Sequence, residues 1–340
     1  MDIHPVAPDG GRVSPSGPEC PPSKRGGLSK RPGGSLGIQA GGAERCRWRM
    51  PTDVALADRR VGLGQPTYIV AEGGINHSGD LGVALQLIRA ANAAGADAVK
   101  WQKREPEVSV PREQWDVLRE TPRWGVLSYI EYRKRLEFGR AEYDAIAREC
   151  QRLGLSWSAS VWDEPSLDFL LAYDPPWVKV PSACLTDIAL LEACQRSGKP
   201  IILSTGMSTM EQIQRAVQTV SPGRLILLHC TSTYPASPEE LNLMGIPALR
   251  ERFQCPVGFS DHSTGVWAAL AGAVLGACVL EKHLTLDRSS WGTDQSASVE
   301  PHGLARIVRY VRRWEQAKGD GIKRVYESER SSLQRLRRVP

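Results

Sequence analysis

Three apolar runs in the second half of the chain each end in a histidine: Leu225-Ile-Leu-Leu-His229, Val257-Gly-Phe-Ser-Asp-His262 and Val279-Leu-Glu-Lys-His283. Short, continuous apolar runs of this kind predict buried strands of a parallel sheet. In α/β barrels, the polar side chains that carry chemistry lie at the carboxyl ends of such strands. The pattern therefore predicts an enzyme whose site is built from strand ends.

Length and composition are those of a soluble globular protein with one large domain. The 340 residues are 41% hydrophobic and 24% charged, and no apolar run is long enough for a membrane helix. The amino terminus lacks the order of charged, apolar and small residues that marks a signal peptide. The eight cysteines form no CxxC pair and have no regular spacing, so neither a zinc knuckle nor a disulfide framework is indicated. We therefore expect a cytoplasmic protein with reduced cysteines and no membrane partner.

Residues 1–60 are predicted to be a disordered, basic leading segment. Positions 1–50 contain eight Arg or Lys residues and four Asp or Glu residues, which accounts for most of the net charge of +5. The segment is rich in Gly, Pro and Ser and cannot bury enough apolar surface to fold. A basic arm for nucleic acid is one interpretation, but no aromatic residue precedes Trp48. The other interpretation is that the segment is a tail without function, or that translation begins at Met50. We expect no nucleic-acid partner.

Strand and helix signals alternate from residue 61 to residue 318. Eight apolar runs are each followed by a segment with helical spacing, which predicts a closed (β/α)8 TIM barrel of the aldolase type. A long polar loop is predicted to follow the second strand as far as about Leu127. The predicted strands are 67–71, 97–100, 157–161, 178–180, 201–204, 225–229, 257–262 and 279–283. The predicted helices are 80–95, 140–152, 166–172, 188–196, 209–220, 238–252, 264–275 and 303–318.

A cationic, hydroxyl-rich group of side chains lies at the predicted strand ends: Lys100, Lys179, Ser182, Ser204 and Ser260. Converging cations and hydroxyl donors suit a phosphate group. Each lysine could instead pair with a carboxylate such as Glu72 or Glu281, since buried lysines are rarely left unpaired. Two lysines with three serines favour the anion site.

Two of the strand-end histidines, His262 and His283, are candidate metal ligands because their predicted strands are neighbours. Neutral imidazoles with nearby carboxylates suit zinc, manganese or iron. A single histidine at a strand end is more often a hydrogen-bonded core residue. Three histidines predicted at the same end of one barrel favour metal binding. No cysteine stands at metal spacing, so the predicted site is catalytic and leaves positions for water and substrate.

Six ordered motifs resemble those of N-acetylneuraminate (sialic acid) synthases: Ile69-Val-Ala-Glu-Gly-Gly-Ile-Asn-His-Ser-Gly-Asp80, Ala94-Gly-Ala-Asp-Ala-Val-Lys-Trp-Gln102, Gly198-Lys-Pro-Ile-Ile-Leu-Ser-Thr-Gly-Met207, Leu228-His-Cys-Thr-Ser-Thr-Tyr-Pro235, Gly258-Phe-Ser-Asp-His262 and Glu281-Lys-His283. The resemblance implies a transferase that condenses phosphoenolpyruvate with an open-chain amino sugar similar to N-acetylmannosamine. The implied products are a nine-carbon 2-keto-3-deoxy acid and phosphate.

The resemblance also implies roles for individual residues. It places phosphoenolpyruvate against Lys100, Lys179, Ser182, Ser204, His229 and Ser260. It places the sugar against Gln102, Tyr234 and Asp294. It gives Glu72 a general-base role in water addition, and it gives His262 and His283 a catalytic role as ligands of manganese or magnesium.

The sequence departs from the family on the sugar side. Cys184 stands where the family typically has a glutamate, and Ser232 stands where it often has an asparagine. The family's carboxyl-terminal antifreeze-like domain is not expected, because only a short basic tail, 319–340, follows the predicted barrel. A homodimer is expected by analogy. Two alternatives stay open: a related synthase with a different sugar acceptor, and a barrel that binds a sugar phosphate without catalysis.

Overall fold

A computed structural model describes residues 53–221 and 223–339 of the chain. Its centre is a closed barrel of eight parallel strands in which each strand pairs with the next and the last pairs with the first. The strands are β1 (Tyr68–Gly74), β2 (Ala98–Lys103), β3 (Ser156–Val161), β4 (Val178–Val180), β5 (Ile201–Ser204), β6 (Leu225–Cys230), β7 (Val257–Asp261) and β8 (Val279–His283). The predicted eight-stranded α/β barrel is confirmed.

One main helix follows each strand and covers the outside of the barrel. These helices are α1 (Leu81–Ala94), α2 (Arg140–Leu153), α3 (Glu164–Leu171), α4 (Ile188–Arg196), α5 (Met210–Thr219), α6 (Gly245–Phe253), α7 (Trp267–Val274) and α8 (Pro301–Ala317). In α1, the side chain of Asp80 accepts a hydrogen bond from the backbone of Val83, and Gly95 ends the helix at φ +83°. The buried face of α1 consists of Ala84, Leu87, Ile88, Ala91 and Ala94.

Side chains alternate along each strand between the barrel interior and the helical shell. The amino-terminal half of the interior is apolar and contains Tyr68, Val70, Ala98, Trp177, Ile202, Ile226, Leu228 and Val279. The next inward positions toward the carboxyl ends are polar and buried: Glu72, Lys100, Ser160, Lys179, Ser204, Ser260 and Glu281. The apolar layer therefore forms a closed floor beneath a polar mouth.

A β-hairpin precedes the barrel, and it corrects the predicted domain boundary at residue 60. Its antiparallel strands are Asp53–Leu56 and Arg59–Gly62. Val54, Leu56 and Val61 are buried with the apolar floor of the barrel, so residues 53–60 are folded against it. The hairpin closes the amino-terminal end of the barrel, away from the polar mouth. The disorder predicted before it and the start predicted at Met50 lie outside the described residues.

The segment between β2 and α2 has secondary structure where the sequence analysis predicted a long loop. It contains a short helix Pro106–Ser109, a hairpin of strands Leu118–Thr121 and Gly125–Ser128, and a helix Tyr129–Leu136. Tyr132 and Leu136 are buried against Ile75, which follows β1. Most side chains of the hairpin are exposed, so the hydrophobic periodicity that predicts strands is weak there. The prediction of a loop to about Leu127 was therefore wrong.

The described carboxyl-terminal residues that follow α8 are exposed, apart from the half-buried Ser332 and Leu333. They include one short helix, Arg330–Leu336, with no buried side chain. Across the described residues, no helix is long and apolar enough to cross a membrane.

Replacing a buried leucine of the amino-terminal hairpin should destabilise the barrel. Leu56 is fully buried in the apolar floor, so Leu56→Ala should lower the free energy of unfolding by about 2–5 kcal/mol in urea denaturation. Leu63 lies just after the hairpin and is 57% exposed, so Leu63→Ala should change stability by less than about 0.5 kcal/mol. Equal effects of the two substitutions would contradict the packing described here.

Candidate active site

A cavity of about 210 Å³ opens at the carboxyl ends of the barrel strands. Its wall includes side chains from all eight strands or the residues that follow them. The predicted site residues that line it are Glu72, Lys100, Gln102, Lys179, Ser182, Ser204, Tyr234, Ser260, His262 and His283. The remaining lining residues are Ser160, Trp162, Pro181, Ala183, Met207, Ser232 and Glu281. Their substrate roles stay predictions.

Lys100 lies on the cavity floor between two carboxylates and a hydroxyl. Its Nζ atom is 2.5 Å from Glu72 Oε2 and 3.8 Å from Glu281 Oε2, and it donates a 2.6 Å hydrogen bond to Ser160 Oγ. All four side chains are buried. The ammonium group is therefore held in one position, with no flexible stem exposed to solvent.

Lys179 approaches the same carboxylate from the opposite side. Its Nζ atom is 3.8 Å from Glu281 Oε1 and donates a 2.7 Å hydrogen bond to Ser204 Oγ. Ser260 donates to the same Glu281 oxygen at 3.2 Å. The lysines therefore pair with carboxylates and also hydrogen-bond to serines, and anion binding by this group stays a prediction.

Burial and charge give the two carboxylates different proton affinities. Burial raises the pKa of Glu72 to about 7, although the nearby Lys100 ammonium opposes the shift. Burial also acts on Glu281, but Lys100 and Lys179 together outweigh it and lower the Glu281 pKa to about 2. Glu281 is therefore a permanent anion between the lysines, whereas Glu72 can exchange a proton near neutral pH.

His262 and His283 face each other across the β7–β8 side of the cavity. Their ring centroids are 5.5 Å apart. The Nδ1 atom of His262 hydrogen-bonds to the carbonyl oxygen of Thr231 at 2.7 Å, which leaves Nε2 as the free acceptor near Ser260. The Nδ1 atom of His283 is buried without a hydrogen-bond partner and lies 3.6 Å from Asp294 Oδ2.

These two imidazoles fit a partial metal shell. Burial lowers the pKa of both His262 and His283, so both rings are neutral and can donate a lone pair. Within residues 53–221 and 223–339, no group of three or more His, Cys, Asp or Glu side chains is arranged to hold a metal ion. A cation bound here would therefore need water or substrate oxygen atoms to complete its coordination.

Of the three residues predicted to face the sugar, Gln102 and Tyr234 line the cavity, whereas Asp294 lies beside His283 and is not part of the lining. Tyr234 is 44% exposed, and its ring centroid is 4.1 Å from that of His262. Gln102 lines the opposite wall and accepts a hydrogen bond from Arg104. Asp294 lies beside His283 and accepts a hydrogen bond from Thr293. The structure brings all three near the predicted metal ligands.

The prediction that His229 lines the phosphoenolpyruvate pocket is corrected by the structure. His229 is on β6, where Ile226 and Leu228 point into the barrel, so the alternation of the strand turns His229 toward the helical shell. Its Nε2 atom hydrogen-bonds to the carbonyl oxygen of Leu241 at 2.8 Å, and its ring stacks on Phe259. His229 therefore supports the loop after β6 from outside the cavity.

A buried ion pair lies directly behind the two cavity histidines. Asp261 and Lys282 are cross-strand partners on β7 and β8, and both point outward, with Lys282 Nζ 3.0 Å from Asp261 Oδ2. Lys282 also donates to the carbonyl oxygen of Ser263 at 2.5 Å, and Asp261 accepts hydrogen bonds from the backbone and side chain of Ser263. The pair fixes the ends of the two strands that carry His262 and His283.

Sequence reasoning assigned no role to Ser160 and named Glu281 only as a possible partner of a lysine. Ser160 binds Lys100, and Glu281 lies between the two lysines. Strand alternation could have identified both. Ser160 is two positions after the inward-facing Ser158, and Glu281 is two positions before His283. Arg104, which contacts Gln102, follows the end of β2 and lies outside this alternation.

Comparisons with known proteins identify a common set of relatives. Residues 87–323 match the NeuB family. The human N-acetylneuraminate-9-phosphate synthase is 37% identical over 84% of this chain and 81% of its own length. The N,N'-diacetyllegionaminic acid synthase of Legionella pneumophila is 35% identical over 79% of this chain and 78% of its own. The N-acetylneuraminic acid synthetase of Leptospira borgpetersenii, solved with citrate, superposes with a TM-score of 0.74 at 32% identity, covering 85% of this chain and 99% of that one.

Breaking the buried ion pair should destabilise the fold. Lys282→Met leaves the Asp261 carboxylate buried without a cation and should lower the free energy of unfolding in urea by about 3–5 kcal/mol. The double variant Asp261→Asn, Lys282→Met removes both charges and should recover most of that loss. An exposed pair, Arg330 with Glu327, provides the control, because Arg330→Met should change stability by about 0.5 kcal/mol or less. A single variant as stable as the wild type would contradict the role of this pair.

His77 should make the protein less stable in acid. Its ring is buried and stacks on Phe138, and burial lowers its pKa from 6.5 to about 3. The folded state therefore binds fewer protons than the unfolded state, so this contribution is present above pH 6.5 and is lost as the pH falls toward 3. His77→Asn should reduce the pH dependence of unfolding below pH 6.5 by about 1.4 kcal/mol per pH unit. His302 is exposed, so His302→Asn should leave the pH dependence of the free energy of unfolding unchanged. If His77→Asn also left it unchanged, the prediction would be wrong.

Proposed function

Because this chain belongs to the NeuB family, we propose that it joins phosphoenolpyruvate to an open-chain N-acyl amino sugar. The products would be a sialic-acid-like 2-keto-3-deoxy acid and inorganic phosphate. The names of the relatives support a nine-carbon keto sugar acid as the product class, since they make N-acetylneuraminate 9-phosphate, legionaminic acid and pseudaminic acid.

The arrangement of Lys100 and Lys179 about Glu281 carries this proposal. Two ammonium groups share the permanent Glu281 carboxylate, so the cavity floor carries one positive charge in excess when Glu72 is protonated and none when Glu72 is ionised. Phosphoenolpyruvate presents a carboxylate and a phosphate to such a surface. Ser160, Ser182, Ser204 and Ser260 supply hydroxyl groups around it. Charged hydrogen bonds to fixed donors are stronger and more specific than neutral ones.

The proposed reaction forms one carbon–carbon bond and breaks one carbon–oxygen bond. C3 of phosphoenolpyruvate attacks the aldehyde carbon of the sugar, and the aldehyde oxygen takes up a proton to become a hydroxyl group. Water adds to C2, and the tetrahedral carbon then releases phosphate with the bridging oxygen. Glu72 is the proposed general base for water addition, because its carboxylate is buried at the cavity floor and exchanges a proton near neutral pH.

His262 and His283 are the proposed ligands of a divalent metal, manganese or magnesium. The hydrogen bond from His262 Nδ1 to the Thr231 carbonyl leaves Nε2 of that ring with a lone pair, and the neutral His283 ring faces it with 5.5 Å between ring centroids, which supports this assignment. A bound divalent ion would polarise the aldehyde oxygen of the sugar. Asp294 would hold the His283 ring in place, and the Thr231 carbonyl would fix the tautomer of His262.

Removal of the proposed base should abolish most of the turnover. Phosphate release from phosphoenolpyruvate should require an N-acyl hexosamine and manganese, and Glu72→Gln should lower kcat by about 100-fold or more. Glu113→Gln is the matched control, because Glu113 is exposed and lies outside the cavity. If the wild type released phosphate with none of the aldoses in a broad panel, that result would contradict catalysis and favour a barrel that only binds sugar phosphates. Phosphate release only with an aldose that is not an N-acyl hexosamine would support the alternative, a related synthase with a different acceptor.

Metal binding can be measured apart from turnover. Titration of free manganese by electron paramagnetic resonance should show one site in the wild type, and His262→Ala should weaken it by about 10-fold or more. His302→Ala should leave the affinity unchanged, because the His302 side chain is exposed and does not line the cavity. Wild-type affinity in His262→Ala would contradict the assigned ligand.

A further inference from the structure

A hydrogen bond joins one serine of the cavity wall to a cysteine that lies outside the lining. Ser182 follows β4 and lines the cavity, and its Oγ atom is 3.1 Å from Sγ of Cys230. Cys230 is the last residue of β6, is 7% exposed and is not part of the cavity lining. Because Ile226 and Leu228 point into the barrel, the alternation of β6 turns Cys230 inward as well. The thiol can therefore act on a substrate only through the serine.

A backbone N–H group also binds the hydroxyl group of Ser182. The amide of Gly206, which follows β5, donates a 3.0 Å hydrogen bond to Ser182 Oγ. The chain can pass this close because residue 206 has no side chain: a Cβ atom there would lie 2.9 Å from Ser182 Oγ and 2.8 Å from Cys230 Sγ. The Gly206 amide therefore occupies one of the two acceptor lone pairs of this hydroxyl group.

Two other serines of the cavity wall show what a fixed donor does for a hydroxyl group. Ser160 and Ser204 each accept a hydrogen bond from the ammonium group of a buried lysine. An ammonium group can only donate, so each of these hydroxyl groups keeps its own proton for another partner. Among the described residues, no lysine or arginine side chain hydrogen-bonds to Ser182. Cys230 is the side chain that can take the place of the lysine there.

The direction of the hydrogen bond between Ser182 and Cys230 decides whether Ser182 can serve an anion. If Ser182 donated to sulfur, its only proton would be used, and the proton of the buried thiol would have no acceptor in the described part of the chain. If Cys230 donates, the proton of Ser182 is left for water or an anion in the cavity. The second arrangement satisfies both protons, and a hydrogen bond to an anion is stronger than one to a neutral sulfur.

We propose that Cys230 is a positioning residue that directs the hydroxyl proton of Ser182 into the cavity. The thiol donates to Ser182 Oγ, and the Gly206 amide takes the other lone pair. The O–H group then donates to an anionic oxygen of phosphoenolpyruvate. The proposal rests on the proposed function for the identity of that anion. The direction of the S–H bond is a property of the free protein, so it can be measured without substrate.

Infrared spectroscopy of the thiol tests this direction in the absence of turnover. The S–H stretching band lies in a spectral window with few other protein bands, and its frequency falls when the thiol donates a hydrogen bond. The Cys230 band is the one that is absent from Cys230→Ser. We expect Ser182→Ala to move this band to higher frequency, whereas Ser331→Ala, at an exposed serine, should leave it in place. An unchanged band in Ser182→Ala would overturn the proposal, because Cys230 would not be the donor.

Two matched variants connect the thiol proton to the substrate. Cys230→Ala and Cys230→Ser both make the side chain smaller, but only serine keeps a donor. Cys230→Ala should raise the KM for phosphoenolpyruvate by about 3- to 10-fold with little change in kcat, the effect of one lost hydrogen bond, and Cys230→Ser should stay within about twofold of the wild type. Cys278→Ala is the control, because Cys278 is buried in the apolar floor of the barrel. Equal KM values in the alanine and serine variants, with wild-type circular dichroism spectra, would overturn the proposal.

Binding without turnover separates this proposal from the proposed reaction. Calorimetric titration of the full chain with phosphoenolpyruvate alone gives the same comparison of variants when no product forms. Weaker binding by Cys230→Ala than by Cys230→Ser would support the positioning role even if no sugar were converted, in which case only the proposed reaction would fail. If the wild type converts a sugar and Cys230→Ala has the same KM for phosphoenolpyruvate, the positioning role is overturned and the proposed reaction stands.

Discussion

The buried carboxylate of Glu281, held between Lys100 and Lys179, is the interaction on which the site depends. Two ammonium groups inside a barrel are costly to desolvate, and a single lysine there would lose its proton or destabilise the fold. Glu281 offsets this cost by lying 3.8 Å from both Nζ atoms. Because Glu281 serves both lysines and Glu72 can take up a proton near neutral pH, the floor gains an excess of positive charge when Glu72 is protonated, and an anionic substrate can neutralise it.

The rest of the fold keeps that charged layer in place. The apolar layer beneath it closes the barrel interior, and the amino-terminal hairpin packs against that layer from the far end. On the outside of the barrel, the Asp261–Lys282 pair fixes the strand ends that carry His262 and His283. The cavity lining thus comes from the strands and from the residues that directly follow them.

The sequence was sufficient for the barrel and for most of the floor, because apolar runs and their polar ends follow a simple period. Lys100, Lys179 and Ser204 were identified in this way, and the cavity contains them all. The prediction for His229 was wrong because it did not take into account that side chains alternate along a strand, so that every second residue points outward. The hairpin at Asp53–Gly62 and the helix Tyr129–Leu136 were missed because each buries only a few side chains. The contacts of Arg104 and Arg133 with Glu137 could not be predicted, since Arg104 meets the other two residues only through tertiary packing.

The fate of the bridging oxygen of phosphoenolpyruvate tests the central claim most directly. The experiment uses phosphoenolpyruvate labelled with ¹⁸O between C2 and phosphorus, with the acceptor sugar and manganese, and follows the label by ³¹P nuclear magnetic resonance. The account predicts that the released phosphate retains the label, because water adds to C2 and the carbon–oxygen bond breaks. Label that remains in the organic product would mean cleavage of the phosphorus–oxygen bond, and would contradict the proposed condensation.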